Sequence, residues 1–179
     1  MILDFHQAEP DLLGFPSRDL KSRIAPELPT AKLFDVLMDG LFAGEYAKAG
    51  PNIRHRDHSP KLPPELKGAG ERIRKVLADD FIAPPNKGEV APGVSDEKAL
   101  RFLIQMNEVV ELNPKTVIAI EGYEKIRGQV VDFLQAKGKA TSSELRQVTG
   151  TSRRILLPVL ERFDVDGVTQ RDGDYRSLK

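Results

Sequence analysis

Along this 179-residue chain the apolar positions change period in a repeating order: helical spacing, a break, helical spacing again, then two short extended runs. The order is clearest at the C-terminal end. Tyr123, Ile126, Val130, Phe133 and Leu134 recur at helical spacing, and Gly138 stands where that helix would stop. Thr141 and Glu144 have the separation of a capping box, in which each side chain satisfies the other residue's free backbone N–H. They open a second, shorter helix with Leu145 and Val148 inward and Gly150 at its end. A third helix is capped by Thr151 or Ser152 and carries Ile155, Leu156, Val159, Leu160 and Phe163 on one face. Val168 to Leu178 then reads as two strands around Asp172-Gly173, a two-residue hairpin turn in which both positions take positive φ.

Weaker copies of the same order lie upstream. In the middle, Leu66 to Ala78 is helical with Ile73, Val76 and Leu77 inward. Ala83-Pro84-Pro85-Asn86 breaks it, and Ser95 with Glu97 opens another helix carrying Leu100, Leu103 and Ile104. Val109 to Leu112 and Val117 to Ile120, joined by a turn at Asn113-Pro114-Lys115, supply the extended pair. The first copy runs from Ser17 to Ile24, then Thr30 to Leu41 with Leu33, Phe34 and Leu37 inward, then an extended stretch from Tyr46 to His58. Helices followed by a hairpin are the plan of a winged helix. The predicted fold is therefore mainly α with small β-hairpin wings (α+β), in tandem winged-helix modules at 1–60, 61–120 and 121–179. Pro60 to Pro64 serves as the first linker and Glu121-Gly122 as a nearly seamless second junction. Modules of this size have marginal cores, so they are expected to pack on one another.

Composition narrows the function. Equal numbers of basic and acidic residues, 27 each, remove the argument that the whole chain is a polyanion binder. Residues 121–179 nevertheless hold eleven basic and nine acidic side chains, against sixteen and eighteen in 1–120. Without cysteine there are no disulfides or thiolate metal sites. No apolar run reaches the roughly twenty residues of a membrane span, and the N-terminal hexapeptide is too short and acidic for a secretory signal. A soluble cytoplasmic protein is expected.

Enzyme signatures are missing. Ala136 to Thr141 lacks the spaced glycines and Gly-Lys-Ser/Thr ending of a phosphate-binding loop. His55 and His58 read as solvated wing side chains rather than metal ligands, and Asp79-Asp80 as a helix end and its loop. The arginines carry more. On a helical wheel Arg154 points away from the apolar face and Arg153 lies at its margin, both in a first turn where the helix dipole disfavours cations. The N–H groups of that helix start, with the Ser152 hydroxyl, suit a phosphate oxygen. Pro158 removes the hydrogen bond to the Arg154 carbonyl, so the arginine-bearing turn is expected to be aimed independently of the rest. In the hairpin, Arg171 is expected opposite Asp174 and Thr169 opposite Arg176, placing Thr169, Arg171 and Arg176 on one face and Gln170 with Tyr175 on the other. The candidate residues for contact with RNA or DNA are therefore Ser152, Arg153, Arg154, Thr169, Gln170, Arg171, Tyr175 and Arg176, the alternative being that Arg171 and Arg176 merely balance Asp172 and Asp174 as solvated charge.

Ser152-Arg153-Arg154, Leu157-Pro158-Val159-Leu160-Glu161, Phe163-Asp164, Gly167-Val168-Thr169-Gln170-Arg171 and Gly173-Asp174-Tyr175-Arg176 together resemble the C-terminal end of the bacterial selenocysteine-specific elongation factor. That family reads Thr-Ser-Arg-Lys, Leu-Pro-Leu-Leu-Glu and Thr-Arg-Arg-x-Gly-Asp-x-Arg. Here Arg154 replaces the lysine, Ile155 the following aromatic, and Gln170 the first basic residue of the wing. Fainter similarity extends to Pro84-Pro85 and to Gly14 through Leu20 after His6 and Pro10.

The resemblance implies the last three of four winged-helix modules of a GTPase that delivers selenocysteinyl-tRNA. The last module would grip the mRNA stem-loop, the selenocysteine insertion element, that marks a UGA codon. By the same resemblance the partners are that stem-loop and the ribosome, with selenocysteinyl-tRNA held only through the GTPase part. The chain would be a non-catalytic monomer without a cofactor, since GTP and magnesium would be bound elsewhere in the factor. The runner-up is a winged-helix DNA-binding transcriptional regulator, against which stand the tandem modules, the proline in the recognition helix and the weakly basic balance. A protein-interaction scaffold would have no nucleic-acid affinity.

Overall fold

The computed structural model describes residues 1–179, in backbone throughout and in side chain everywhere except Ala31. The chain divides into two compact units, Met1–Glu65 and Leu66–Lys179.

In the first unit, helix α1 (Ile2–Ala8) precedes a two-residue strand β1 (Phe15–Pro16), helix α2 (Ser17–Ile24), helix α3 (Ala31–Ala43) and the hairpin β2 (Tyr46–Ala49) and β3 (Asn52–His55). The antiparallel sheet has the order β1-β3-β2, with Phe15 opposite Ile53 and Tyr46 opposite His55. Ile2, Phe15, Leu20 and Ile53 form the core, against which Phe5, Met38, Leu41 and Phe42 pack.

Two sequence expectations change here. Helix α1 was not foreseen, because seven residues give too few apolar positions to establish a period. Leu33 and Leu37, expected inward, are exposed, while Phe34 is buried. Helix α3 is apolar on two faces, so periodicity alone could not choose which one meets the core.

The histidines are not solvated wing residues as expected. His6 Nε2 accepts the His55 backbone N–H at 3.1 Å, and its ring stacks on His58 with centroids 3.7 Å apart. His58 Nε2 donates to the Leu12 carbonyl at 2.8 Å. Burial, and then the neighbouring His58, His55 and Arg54, lower the His6 pKa below its ordinary value. Among the described residues no three His, Asp or Glu side chains converge as a metal cage requires.

The second unit begins with helix α4 (Lys67–Asp79), a single turn α5 (Lys87–Val90), helix α6 (Val94–Gln105) and the hairpin β4 (Val109–Asn113) and β5 (Thr116–Ala119). It continues without a break into helix α7 (Ile120–Lys137), strand β6 (Lys139–Thr141), helices α8 (Ser142–Thr149) and α9 (Arg153–Val165), and the hairpin β7 (Thr169–Asp172) and β8 (Tyr175–Leu178). Val76 is 38% exposed rather than inward, because the buried stripe of α4 runs through Ala69, Ile73 and Leu77.

The last sheet has the order β6-β8-β7, the same path as β1-β3-β2 in the first unit. In the middle the equivalent of the first strand shrinks to one antiparallel bridge, Asn86 to Thr116, beside the β4–β5 pair. Each round thus places three helices before a wing, and α3, α6 and α9 occupy equivalent positions. The core of the last round includes Ile126, Leu134, Leu145, Ile155, Leu160 and Phe163, and it reaches back to Ile118 on β5 with Phe81 and Leu112 packed against it. The sequence pattern separates 61–120 from 121–179; in the structure one core crosses that line.

Candidate nucleic-acid interface

Three local devices build the α8–α9 pair. Thr141 and Glu144 close a capping box at the start of α8: the Thr141 N–H donates to Glu144 Oε2 at 2.8 Å and the Glu144 N–H to Thr141 Oγ1 at 3.3 Å. Lys137 donates to the same carboxylate. That contact, with the Thr141 N–H and hydroxyl, pulls the Glu144 pKa down to about 2. At the other end of α8, Gly150 takes the left-handed conformation at φ +67°, and Thr149 Oγ1 bonds both the Leu145 carbonyl and Thr151 Oγ1 at 2.9 Å. Helix α9 then buries Ile155, Leu156, Val159, Leu160 and Phe163, the five residues its spacing predicts.

Between the two helices lies a cleft of about 250 Å³ lined by Ser142, Ser143, Arg146, Arg153, Leu156 and Leu157. Among the described residues no carboxylate pairs with Arg146 or Arg153. The capping box occupies the Glu144 N–H, and Ser142 and Ser143, the first two residues of α8, line the same cleft as the arginines. A helix start, hydroxyl donors and unpaired guanidinium groups over an apolar floor suit a phosphate with an adjoining flat group. A larger groove of about 620 Å³ near Tyr123 is different: its arginines are already neutralised, Arg162 by Asp166 at 2.9 Å and Arg127 by Glu124 at 3.4 Å. There, burial and then Asp166 push the Tyr123 pKa up to about 12.

The structure sorts the eight predicted residues. Arg153 is exposed in the cleft. Arg154, expected to be free, is held by the middle round: Nη1 donates to Asn86 Oδ1 at 2.9 Å and Nη2 to the Pro84 carbonyl. Ser152 caps α9 by position only. Its hydroxyl is buried without a hydrogen-bond partner and its N–H points to the Ile82 carbonyl at 3.4 Å, so the helix start expected to bind phosphate is covered by the 82–86 loop. The arginine-bearing turn is therefore not aimed independently, despite Pro158 inside an unbroken α9.

On the wing, the register pairs Arg171 with Arg176, Thr169 with Leu178, Gln170 with Ser177 and Asp172 with Tyr175. The turn is consequently Gly173-Asp174, not Asp172-Gly173. Only Gly173 has positive φ, +58°, as in hairpins with glycine first in the turn. Thr169, Arg171 and Arg176 still share a face, but that face meets the core. Thr169 is 1% and Arg176 4% exposed, and both bond Asp164. Arg171 escapes at the tip, with Nε on the Gly173 carbonyl at 2.9 Å. Gln170 and Tyr175 lie on the outer face, Gln170 bonded to Ser177 and Tyr175 under Lys139 at 4.8 Å.

The cleft residues Ser142, Ser143 and Arg146 escaped the sequence reading. A signal was present: two serines directly after a capping threonine, followed one turn later by a basic residue. The equivalent helices differ in charge as well. Helix α6 carries Asp96 and Glu97 in its first turn, and α3 exposes Leu33, Val36 and Leu37. The last round sets two unpaired arginines together in one cleft at a helix start.

This path of helices and wings defines a tandem winged-helix protein. A family model described as elongation factor SelB, winged helix, matches residues 132–178, and a second of that description matches residues 2–46, together just over half of the chain. The chain belongs to this family of SelB winged-helix domains. A curated selenocysteine-specific elongation factor of Desulfomicrobium baculatum is 22% identical over 98% of the chain, which spans 28% of that relative's length. Two solved structures are similar in fold. The crystal structure of the bacterial selenocysteine-specific elongation factor EF-Sec has a TM-score of 0.54 and 18% identity, over 89% of this chain and 26% of that one. The mRNA-binding domain of elongation factor SelB from E. coli, solved in complex with SECIS RNA, has a TM-score of 0.55 and 17% identity, over 66% of this chain and 99% of that domain.

Proposed function

We propose that this chain is the mRNA-hairpin-binding arm of a selenocysteine-specific elongation factor, tethering the factor to a selenocysteine insertion element so that UGA is decoded as selenocysteine. The observation that carries the reading is the α8–α9 cleft, where Arg146 and Arg153 stand unpaired beside Ser142 and Ser143. The family membership, and the RNA bound by the similar SelB domain, support RNA over duplex DNA as the ligand.

RNA physics points the same way. An A-form major groove is too narrow to admit α9, so phosphates set the register while loop or bulged bases are read beside the helix. In this reading the cleft takes backbone phosphate, and Arg171 and Tyr175 at the wing tip contact the neighbouring strand. The upstream rounds act as a spacer and a ribosome-facing surface. GTP hydrolysis and delivery of selenocysteinyl-tRNA fall to other segments of the factor, and the arm works in the cytoplasm as a monomer without a cofactor of its own. No helix of the described residues is long and apolar enough to cross a membrane.

A gel-shift comparison of a bulged RNA hairpin with duplex DNA of equal length tests the reading. Tighter binding of the hairpin is expected. Equal or tighter binding of the duplex returns the chain to the DNA-regulator reading, and no binding to either favours a protein scaffold.

A further inference from the structure

Arg176 lies too deep to touch a ligand, yet it does more than balance a charge. At 4% exposure its guanidinium needs a partner, and Asp164 supplies one at 3.1 Å from Nε. Nη1 makes a further bond, donating to Ser142 Oγ at 3.0 Å. Ser142 is the first residue of α8 and a wall of the cleft. A hydroxyl has one hydrogen and two lone pairs. With a lone pair taken by a cation from within, the Ser142 hydrogen is left to donate outward, and the adjacent charge makes it a stronger donor.

We infer that Arg176 is a positioning residue that acts on the bound RNA through Ser142, fixing that hydroxyl as a phosphate donor in the cleft. Asp164 holds the guanidinium in place, and because it also accepts Thr169 Oγ1 at 2.5 Å it ties α9 and the wing to the same point. The inference rests on the RNA-hairpin reading. It separates Arg176 from Arg153, which meets the ligand directly.

The test is a double-mutant cycle on the full chain, read by fluorescence anisotropy with a labelled bulged RNA hairpin across a salt series. Arg176→Lys keeps a charge for Asp164 but loses the fork that also reaches Ser142; Ser142→Ala removes the hydroxyl. Each is expected to weaken binding about five- to tenfold, and the double variant no more than either alone. The salt slope should stay at the wild-type value in both, whereas Arg153→Ala should make it shallower by about 1.

Losses that multiply in the double variant, or a slope that falls in Arg176→Lys, would overturn the inference. Ser142→Ala is a cleft-wall change that leaves the core intact, so wild-type affinity in that variant overturns it however well Arg176→Lys folds. If the chain prefers duplex DNA, the hairpin reading fails while the same cycle on duplex still tests the Arg176–Ser142 coupling. A chain that binds neither overturns both.

Discussion

Neighbouring arginines in the first turn of α9 should behave in opposite ways. Arg154→Ala removes two charged donors, one from Asn86 Oδ1 at 2.9 Å and one from the Pro84 carbonyl. Hydrogen bonds to charged groups contribute about 1.5–3 kcal/mol when shielded. Arg154 is exposed, however, and the freed acceptors can turn to water, so solvent reduces the pair to about 1–2 kcal/mol in total. Deleting a cation from a helix start returns about 0.3–1 kcal/mol. The net loss is about 1 kcal/mol, which lowers the melting temperature of a unit of this size by about 4 °C. Arg153 has no partner to lose, so Arg153→Ala should leave stability unchanged or slightly raised. Binding reverses the order: Arg153→Ala should flatten the RNA salt slope by about 1 and Arg154→Ala should leave it alone. Thermal melts and salt titrations of both variants decide the matter. An Arg154→Ala chain as stable as wild type with a flattened slope would mean that Arg154 leaves the 82–86 loop to grip the ligand, and the assignment of the two residues would be reversed.

Acid should act through two separate groups. The Glu144 carboxylate, held at about 2 against an ordinary 4.5, stabilises the fold above pH 4.5, and that stability is lost as pH falls through about 2. Glu144→Gln should melt lower at neutral pH and lose this part of the acid sensitivity in circular-dichroism melts; an unchanged acid profile would count against the capping box. His6, with a pKa below its ordinary 6.5, contributes stability above pH 6.5 that is lost as pH falls through its lowered value. Hydrogen exchange at the His55 N–H, which donates to His6 Nε2, should therefore quicken as pH falls beneath 6.5 relative to the other β3 amides, and should lose that dependence in His6→Gln. Gly122→Ala should cost about 1–3 kcal/mol, since its Cβ would fall 2.6 Å from the Phe81 Cβ. A neutral result in denaturant melts would show that the 81–82 loop is free to withdraw.

Much of this organisation was legible because helix spacing and caps are local. The five buried residues of α9, the Thr141–Glu144 box and the repeated order of helices and hairpin follow from positions a few residues apart. Strand β6 was not legible, since three residues become a strand only by pairing with β8. The hairpin turn was misplaced by one residue because Asp172-Gly173 and Gly173-Asp174 both satisfy local turn chemistry, and it is the pairing of Asp172 with Tyr175 that chooses between them. The fates of Arg154 and Arg176 were hidden for the same reason. A helical wheel says which way a side chain leaves its own helix. It does not say that Pro84 and Asn86 wait 70 and 68 residues away, or that Asp164 and Ser142 close over a wing arginine.

The most direct test of the account is where RNA touches the chain. Titrating the isotopically labelled protein with a bulged RNA hairpin and following backbone amide and arginine side-chain NMR signals should move Ser142, Ser143, Arg146 and Arg153 most, with Arg171 next and the first turns of α3 and α6 still. Shifts concentrated on α3 or α6, with the α8–α9 cleft silent, would contradict the assignment of the RNA site to the last round.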